Sequence, residues 1–367
     1  VLLLVALLSL LTATPALAQE GGGSCLTQDP PPPGKVEPLR FGITPRLAGS
    51  AGAAQEEPAP EDPAKTTAAL RALRPKGRQL VLRLNRLFWS EGTPGIREFG
   101  RLVRRYALAG LRSEIQVRYH PPEGHEGDIE GFEAFVRTAV RRLGGRRAVA
   151  GFSITNEANL PVSPNTSDGA YEGVVDALVR GVIAAREELR RLGRRRLDVG
   201  FNVMWRWSPD SDREFWESIG AHPDAAAFRK AVGNVGVQVY PGLVWPPAPV
   251  PGRTAGDEVA EALTLVRECY MPKAGLGRRV QLWVSENGYA TNMGRGEAEQ
   301  TTDLESTLEA VSKWSGALGI TDYRWFNLRD NNSDGADIFS AVGLLRDDYS
   351  RKPAFAAYRR GIARYGR

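Results

Sequence analysis

Short apolar, β-branched runs alternate along the chain with longer stretches whose apolar residues recur every three or four positions. The short runs predict strands at Leu39–Thr44, Leu80–Leu84, Glu114–Tyr119, Val149–Asn156, Asp198–Val203, Val235–Tyr240, Val280–Glu286 and Thr321–Asn327. The longer ones predict helices over Pro63–Leu73, Gly95–Ala107, Ile129–Leu143, Tyr171–Leu192, Asp224–Val232, Asp257–Cys269 and Thr302–Leu318, with a last helix from Pro353 to Tyr365. Strict alternation of this kind predicts an α/β chain whose parallel strands are joined by helical crossovers. The count and length favour a closed (β/α)₈ TIM barrel over an open, doubly wound sheet. The open sheet would show a glycine-rich turn after its first strand, and Phe41-Gly42-Ile43-Thr44-Pro45-Arg46 has none.

The loops expected at the C-terminal strand ends are long: Leu47 to Asp62, Ser208 to Pro223, Leu243 to Gly256 and Leu328 to Val342. Those at the other end are short, such as Arg74 to Gly77 and Gly144-Gly145. Barrels build their sites from the first set.

Ahead of the barrel, Val1 to Leu11 is apolar apart from Ser9, and Ala16-Leu17-Ala18 has the small-x-small form of a cleavage site. The expected organisation is a signal peptide over 1–18, a Gly/Pro-rich linker over 19–37 and a single catalytic barrel over 38–367. The product would be secreted, with no membrane span after cleavage, because the apolar run is too short to anchor it. Cys25 and Cys269 are the two cysteines; in an exported protein they either pair or stay as thiols. Two Cys and three His (His120, His125, His222) argue against a zinc centre, so no metal and no cofactor are expected. The net charge is +5, but the arginines of 101–105 and 186–196 lie on amphipathic helical patterns without the interleaved aromatics of a single-strand binder. No nucleic-acid partner is expected, and the protein is expected to act as a monomer.

Two carboxylates carry the chemistry. Glu157 closes Ile154-Thr155-Asn156-Glu157 and Glu286 stands in Val284-Ser285-Glu286-Asn287-Gly288, each at the tip of a predicted strand. In a barrel such tips converge, and a carboxylate pair is the basic equipment for cleaving a glycosidic bond. Glu157 is expected to act as acid and base and Glu286 as nucleophile. Asn156 would hydrogen-bond a sugar hydroxyl. Arg83 would hold Glu286 ionised, the Tyr240 hydroxyl would donate to the same carboxylate, and His120 lies at the third strand end. Trp89, Trp205, Trp207, Trp245 and Trp325 fall at or past strand ends, where indoles stack on sugar C–H faces. Trp325 is the foremost of these candidates, and Asn202 and the Arg329-Asp330-Asn331-Asn332 turn are further hydroxyl ligands.

Asn-Glu after the fourth strand, Tyr after the sixth, Glu after the seventh and Trp after the eighth resemble glycoside hydrolase clan A, over roughly Arg40 to Tyr365. Arg83-Leu84-Asn85 and His120-Pro121 are similar to motifs of its cellulase and mannanase family, and Ser285-Glu286-Asn287-Gly288 to those of its β-glucosidase family. The clan's usual Asn-Glu-Pro reads Asn156-Glu157-Ala158, and Gln238 stands where a His is often found. The resemblance implies a retaining barrel enzyme acting on an oligo- or polysaccharide, with Glu157 and Glu286 in the roles just given. A second reading is a non-catalytic barrel that binds glycan at the cell surface.

Overall fold

Eight parallel strands, β1 (Arg40–Ile43), β2 (Val81–Phe88), β3 (Arg112–Arg118), β4 (Val149–Ile154), β5 (Asp198–Met204), β6 (Asn234–Gln238), β7 (Gln281–Asn287) and β8 (Ile320–Trp325), close into a barrel in sequence order. The chain is seen in a computed structural model that describes residues 29–45, 58–206 and 208–367. Around the barrel run α1 (Pro63–Leu73), α2 (Gly92–Leu108), α3 (Ile129–Leu143), α4 (Val174–Arg191), α5 (Pro209–Ala221), α6 (Ala225–Ala231) and α7 (Ala255–Leu265). They are followed by the short α8 (Met271–Lys273), then α9 (Glu297–Lys313), α10 (Ser315–Leu318) and the closing α11 (Pro353–Tyr365). The expected closed barrel is the observed one.

Local chemistry sets the helix starts. The Asp62 carboxylate accepts from the amides of Ala64 and Lys65 at 2.9 and 3.0 Å, and Pro63 fills the first turn, where no amide hydrogen is needed. Thr254 and Asp257 form a reciprocal capping box at α7. The same chemistry corrects the loop expected over Ser208 to Pro223. Pro209 starts α5, with Asp210 and Asp212 in its first turn, and Phe215, Trp216 and Ile219 form its buried face.

Alternation along the strands builds two interiors. One set of side chains faces the helices: Phe41, Ile115, Val117, Phe152, Phe201, Val237, Leu282, Tyr323 and Trp325 all belong to the main apolar core. The other set fills the barrel and is largely polar. Arg40 Nε and Arg324 Nη2 both donate to Asp322 Oδ1 at 2.6 Å, and Arg324 also reaches Glu114 at 3.2 Å. Both guanidiniums lie over Trp283, 5.0 and 5.3 Å from its ring centre. Gly42 makes room for this plug, since a Cβ there would fall 2.4 Å from Arg324 Cδ.

The expected signal peptide, Cys25 and most of the Leu47–Asp62 loop lie outside the described residues. Cys269 is disulfide-bonded. The described part of the expected linker lies against the barrel's outer helices: Trp314 Nε1 donates to the Pro31 carbonyl at 2.9 Å and the Glu37 amide to Ser315 Oγ at 2.8 Å. No described helix is long and apolar enough to cross a membrane.

Candidate active site

The backbone turns sharply where β4 ends. Thr155 and Glu157 have φ of 63° and 47°, the left-handed region that side chains other than glycine avoid at a cost of about 1–3 kcal/mol each. The surrounding structure fixes all three amides of this turn. Thr155 N donates to the Val117 carbonyl at 2.8 Å, Asn156 N to Asp168 Oδ2 at 2.9 Å and Glu157 N to Asn202 Oδ1 at 2.8 Å. The turn fixes the backbone of Glu157 just past the C-terminal end of β4.

Glu286 sits within β7 and is buried. Its Oε1 accepts from Arg83 in an ion pair, and its Oε2 accepts from the Tyr240 hydroxyl at 2.5 Å. Burial, then the negative charge of Glu286, raises the Tyr240 hydroxyl well above the usual tyrosine range, so it remains a donor. The motif around Glu286 has a packing reason. Asn287 Nδ2 donates to the Val239 carbonyl at 2.8 Å, while its Oδ1 accepts from Tyr323 at 2.6 Å, tying β7 to both neighbours. A Cβ on Gly288 would sit 2.4 Å from the Phe326 carbonyl oxygen.

The two carboxylates share one electrostatic environment. Burial, then the charge of Glu286, pushes the Glu157 carboxyl up to about 8. At neutral pH Glu157 is therefore mostly protonated beside an ion-paired Glu286, the division of labour an acid and a nucleophile need. Apolar side chains sharpen the contrast. Met204, Leu243, Phe326 and Val342 cluster with Tyr240, and the Phe339 ring stands edge-on to Tyr240 at 5.7 Å.

Several expected ligands have other duties. Asn156 Oδ1 accepts from Gln238 at 2.6 Å, Gln116 at 2.7 Å and Arg83 at 3.3 Å, and its Nδ2 donates to the Thr166 carbonyl at 2.7 Å. It braces Arg83. Asn202, 1% exposed, accepts from Gln238 at 2.9 Å as well as from Glu157 N, and its Nδ2 faces Ser153 and Thr155 at 3.3 and 3.2 Å. Asn202 is thus a positioning residue, not a hydroxyl ligand. Gln238 links the two asparagines. Arg83 does not end its strand as expected; β2 continues five residues beyond it, through an irregular register between Leu84 and Leu87.

The tryptophans are corrected most. Trp325, 1% exposed, lies in phase with Tyr323 and packs on Tyr358 of α11 at 6.4 Å, on the outer face of β8. Trp89 stacks on Tyr119 at 5.9 Å and meets Phe132 at 5.8 Å, and Trp205 is buried in the main core. Trp245 alone of the described candidates is only partly buried, packed against the main core, and Trp207 lies outside the described residues. His120 meets Phe88 at 4.6 Å, Tyr171 at 5.5 Å and Ser90 Oγ at 3.0 Å. Burial, then the Arg118 charge, lowers its pKa and favours the neutral ring. In the expected hydroxyl-binding turn, Asp330 instead pairs with Lys352 at 2.8 Å.

Sequence reasoning missed Asp168, which is fully buried. Its carboxylate accepts from Arg118 Nε at 2.7 Å, Tyr119 N at 2.8 Å and Asn156 N. It opens a single 3-10 turn, Asp168–Ala170, that follows a polar stretch. Gln116 was also missed, although its alternation with Glu114 and Arg118 inside an apolar strand marks an inward polar face. Among the described residues, no group of three or more His, Cys, Asp or Glu is arranged to hold a metal ion.

With this geometry in view, comparison with solved structures is informative. A family 39 glycoside hydrolase from the gut symbiont Bacteroides cellulosilyticus superposes with a TM-score of 0.57 at 15% identity, over 89% of this chain and 64% of that one. GH5_18 from Streptomyces cattleya, solved with GlcNAc, gives 0.60 at 15% identity, over 90% and 81%. The family 1 β-glucosidase from Thermotoga maritima gives 0.59 at 13% identity, over 82% and 86%. The chain shares the barrel fold of these glycoside hydrolases. At such identity the likeness shows the fold alone, and the chain spans less than two thirds of the first of them. No protein-family model matches the sequence, and no curated protein does.

Proposed function

We propose that the protein is a retaining glycoside hydrolase that cleaves the O-glycosidic bonds of a β-glycan by double displacement. The observation that carries this reading is the carboxylate pair: a protonated Glu157, whose charging is opposed by burial and by the charge of Glu286, beside a Glu286 paired with Arg83. Glu157 gives its proton to the leaving oxygen as Glu286 attacks the anomeric carbon, and the C–O bond breaks as a glycosyl ester forms. Glu157, now ionised, takes a proton from water. The resulting hydroxide displaces Glu286, releasing the sugar and restoring both carboxylates to their starting states. Retention requires about 5–5.5 Å between the carboxyl groups. The fold shared with glycoside hydrolases supports the assignment, as does the place of both residues at the C-terminal strand ends, where barrels carry their chemistry.

The site of action proposed is outside the cytoplasm. The apolar N-terminal stretch and the bonded Cys269 support export to an oxidising compartment.

The test is chemical rescue on activated aryl β-glycosides. Glu286→Gly should abolish hydrolysis, and azide should then yield a glycosyl azide of inverted configuration. Glu157→Ala should yield the azide with configuration retained. Undiminished hydrolysis by Glu286→Gly overturns the assignment. Oligosaccharide binding with no turnover across a broad panel favours the non-catalytic reading.

A further inference from the structure

The outer surface carries a groove between α2 and α3 that the carboxylate site does not use. Two adjoining hollows of about 460 and 480 Å³ share Arg104 and Arg146 in their walls. Their floor is small and aliphatic, with Gly100, Val103, Ala107 and Leu143 among its residues. Gly100 lets Arg146 lie across the helix, where its Nη1 donates to the Gly100 carbonyl at 3.3 Å. The walls are cationic: Arg97, Arg101 and Arg104 stand at one-turn intervals on α2, and Arg142, Arg146 and Arg147 face them from the end of α3. All six are exposed.

What distinguishes this groove is the lack of counter-charge. In the next groove, between α3 and α4, Arg137, Arg141, Arg180 and Arg191 all pair with Glu133, Glu187 or Glu188. Between α2 and α3 the described carboxylate partner is Glu98, which meets Arg101 at 2.8 Å. Arg97, Arg104, Arg142 and Arg147 have no ion pair among the described residues. Like charges held together in a hollow repel one another, and an external anion relieves that repulsion. Guanidinium forks suit carboxylate and sulfate oxygens, which they bind in pairs. The lining holds no aromatic ring on which a nucleobase could stack, which disfavours single-stranded nucleic acid.

We propose that this groove is a secondary binding site for an anionic polysaccharide, one bearing uronate or sulfate groups. The α2–β3 and α3–β4 connections that border it lie at the barrel end opposite the carboxylate pair, so it tethers a polymer without touching the reacting bond. The choice of a glycan rests on the function proposed above, but binding is read without turnover, so either claim can fail alone.

The experiment measures binding of fluorescent polygalacturonate and dextran sulfate, with neutral dextran as control, at low and high salt. The intact protein should bind at least one of the two anionic polymers, and salt should weaken it. Binding to polygalacturonate alone identifies carboxylate as the ligand group, and to dextran sulfate alone identifies sulfate. The triple variant Arg97→Gln, Arg104→Gln, Arg142→Gln should bind about tenfold or more weakly. A control with the same charge loss, Arg190→Gln, Arg195→Gln, Arg196→Gln, should keep its affinity, and both should cleave a small aryl glycoside like the parent. Equal loss in the control variant overturns the proposal. So does binding to neither polymer, or tighter binding to oligodeoxythymidylate or to anionic lipid vesicles.

Discussion

Removing the charge of Glu286 should make Glu157 easier to ionise by an amount that can be worked out. Two carboxylates about 5.5 Å apart at an effective dielectric of about 20 repel by about 3 kcal/mol. That corresponds to about 2 pH units. Burial, the larger cause of the Glu157 shift, survives in Glu286→Gln, so the carboxyl should fall from about 8 to about 6 and not to its usual value near 4.5. Arg83, released from its partner, pulls in the same direction, so the fall is a lower bound. The assay is ¹³C NMR of labelled glutamate carboxyls across pH, with Glu157 assigned by its absence in Glu157→Gln. In the intact enzyme the same group should set the basic limb of kcat/KM near pH 8, where the acid is lost. A midpoint unmoved to within about half a unit in Glu286→Gln refutes the coupling, and with it the claim that the two groups act on one bond.

Two further outcomes follow from named contacts. Tyr240→Phe removes the donor that stabilises Glu286 as it departs from the glycosyl ester; a hydrogen bond to a charged group is worth about 1.5–3 kcal/mol, so kcat on an activated aryl glycoside should fall about 10- to 100-fold with a pre-steady-state burst, and an unchanged kcat without a burst contradicts the role. Glu157→Gln should alter the pH dependence of stability: the folded carboxyl holds its proton up to about 8 and the unfolded one only to about 4.5, so the parent loses stability as pH rises through that window, and the variant should lose less, with the difference greatest between about pH 6 and 8, where Asp212 and Asp303 no longer contribute, as urea unfolding across it will show.

The barrel and its carboxylates were legible because each depends on a local signal. The ends of α1, α3 and α11 are where the sequence puts them, because Pro63, Asp128 and Pro353 mark starts and the apolar period marks the length. α5 was hidden by its opening Ser-Pro-Asp-Ser-Asp, which is turn chemistry and also helix-start chemistry; only the buried Phe215, Trp216 and Ile219 decide between them. The indoles were misread for a different reason. Strand side chains alternate, so a tryptophan at a strand tip has two faces to choose from, and composition does not say which. Trp325 is in phase with Tyr323 and takes the helix side. Arg324, one residue earlier, takes the barrel side.

The amide side chains raise a deeper question: why would the proposed site spend Asn156 and Asn202 on itself? The answer lies in the turn after β4. Two non-glycine residues held at left-handed φ need a surrounding structure that leaves them no alternative, and a carboxylate on such a turn is useful only if it points the same way every time. Asn202 holds the Glu157 amide, Gln238 bridges Asn202 to Asn156, and Asn156 meets the same Arg83 that pairs with Glu286. One chain of contacts thus runs from the backbone of Glu157 to the carboxylate of Glu286. Shifting a member would move the two carboxylates relative to each other, the geometry on which the proposed double displacement depends. Asn156 and Asn202, which the sequence offered as sugar ligands, thus serve to fix where the two carboxylates stand.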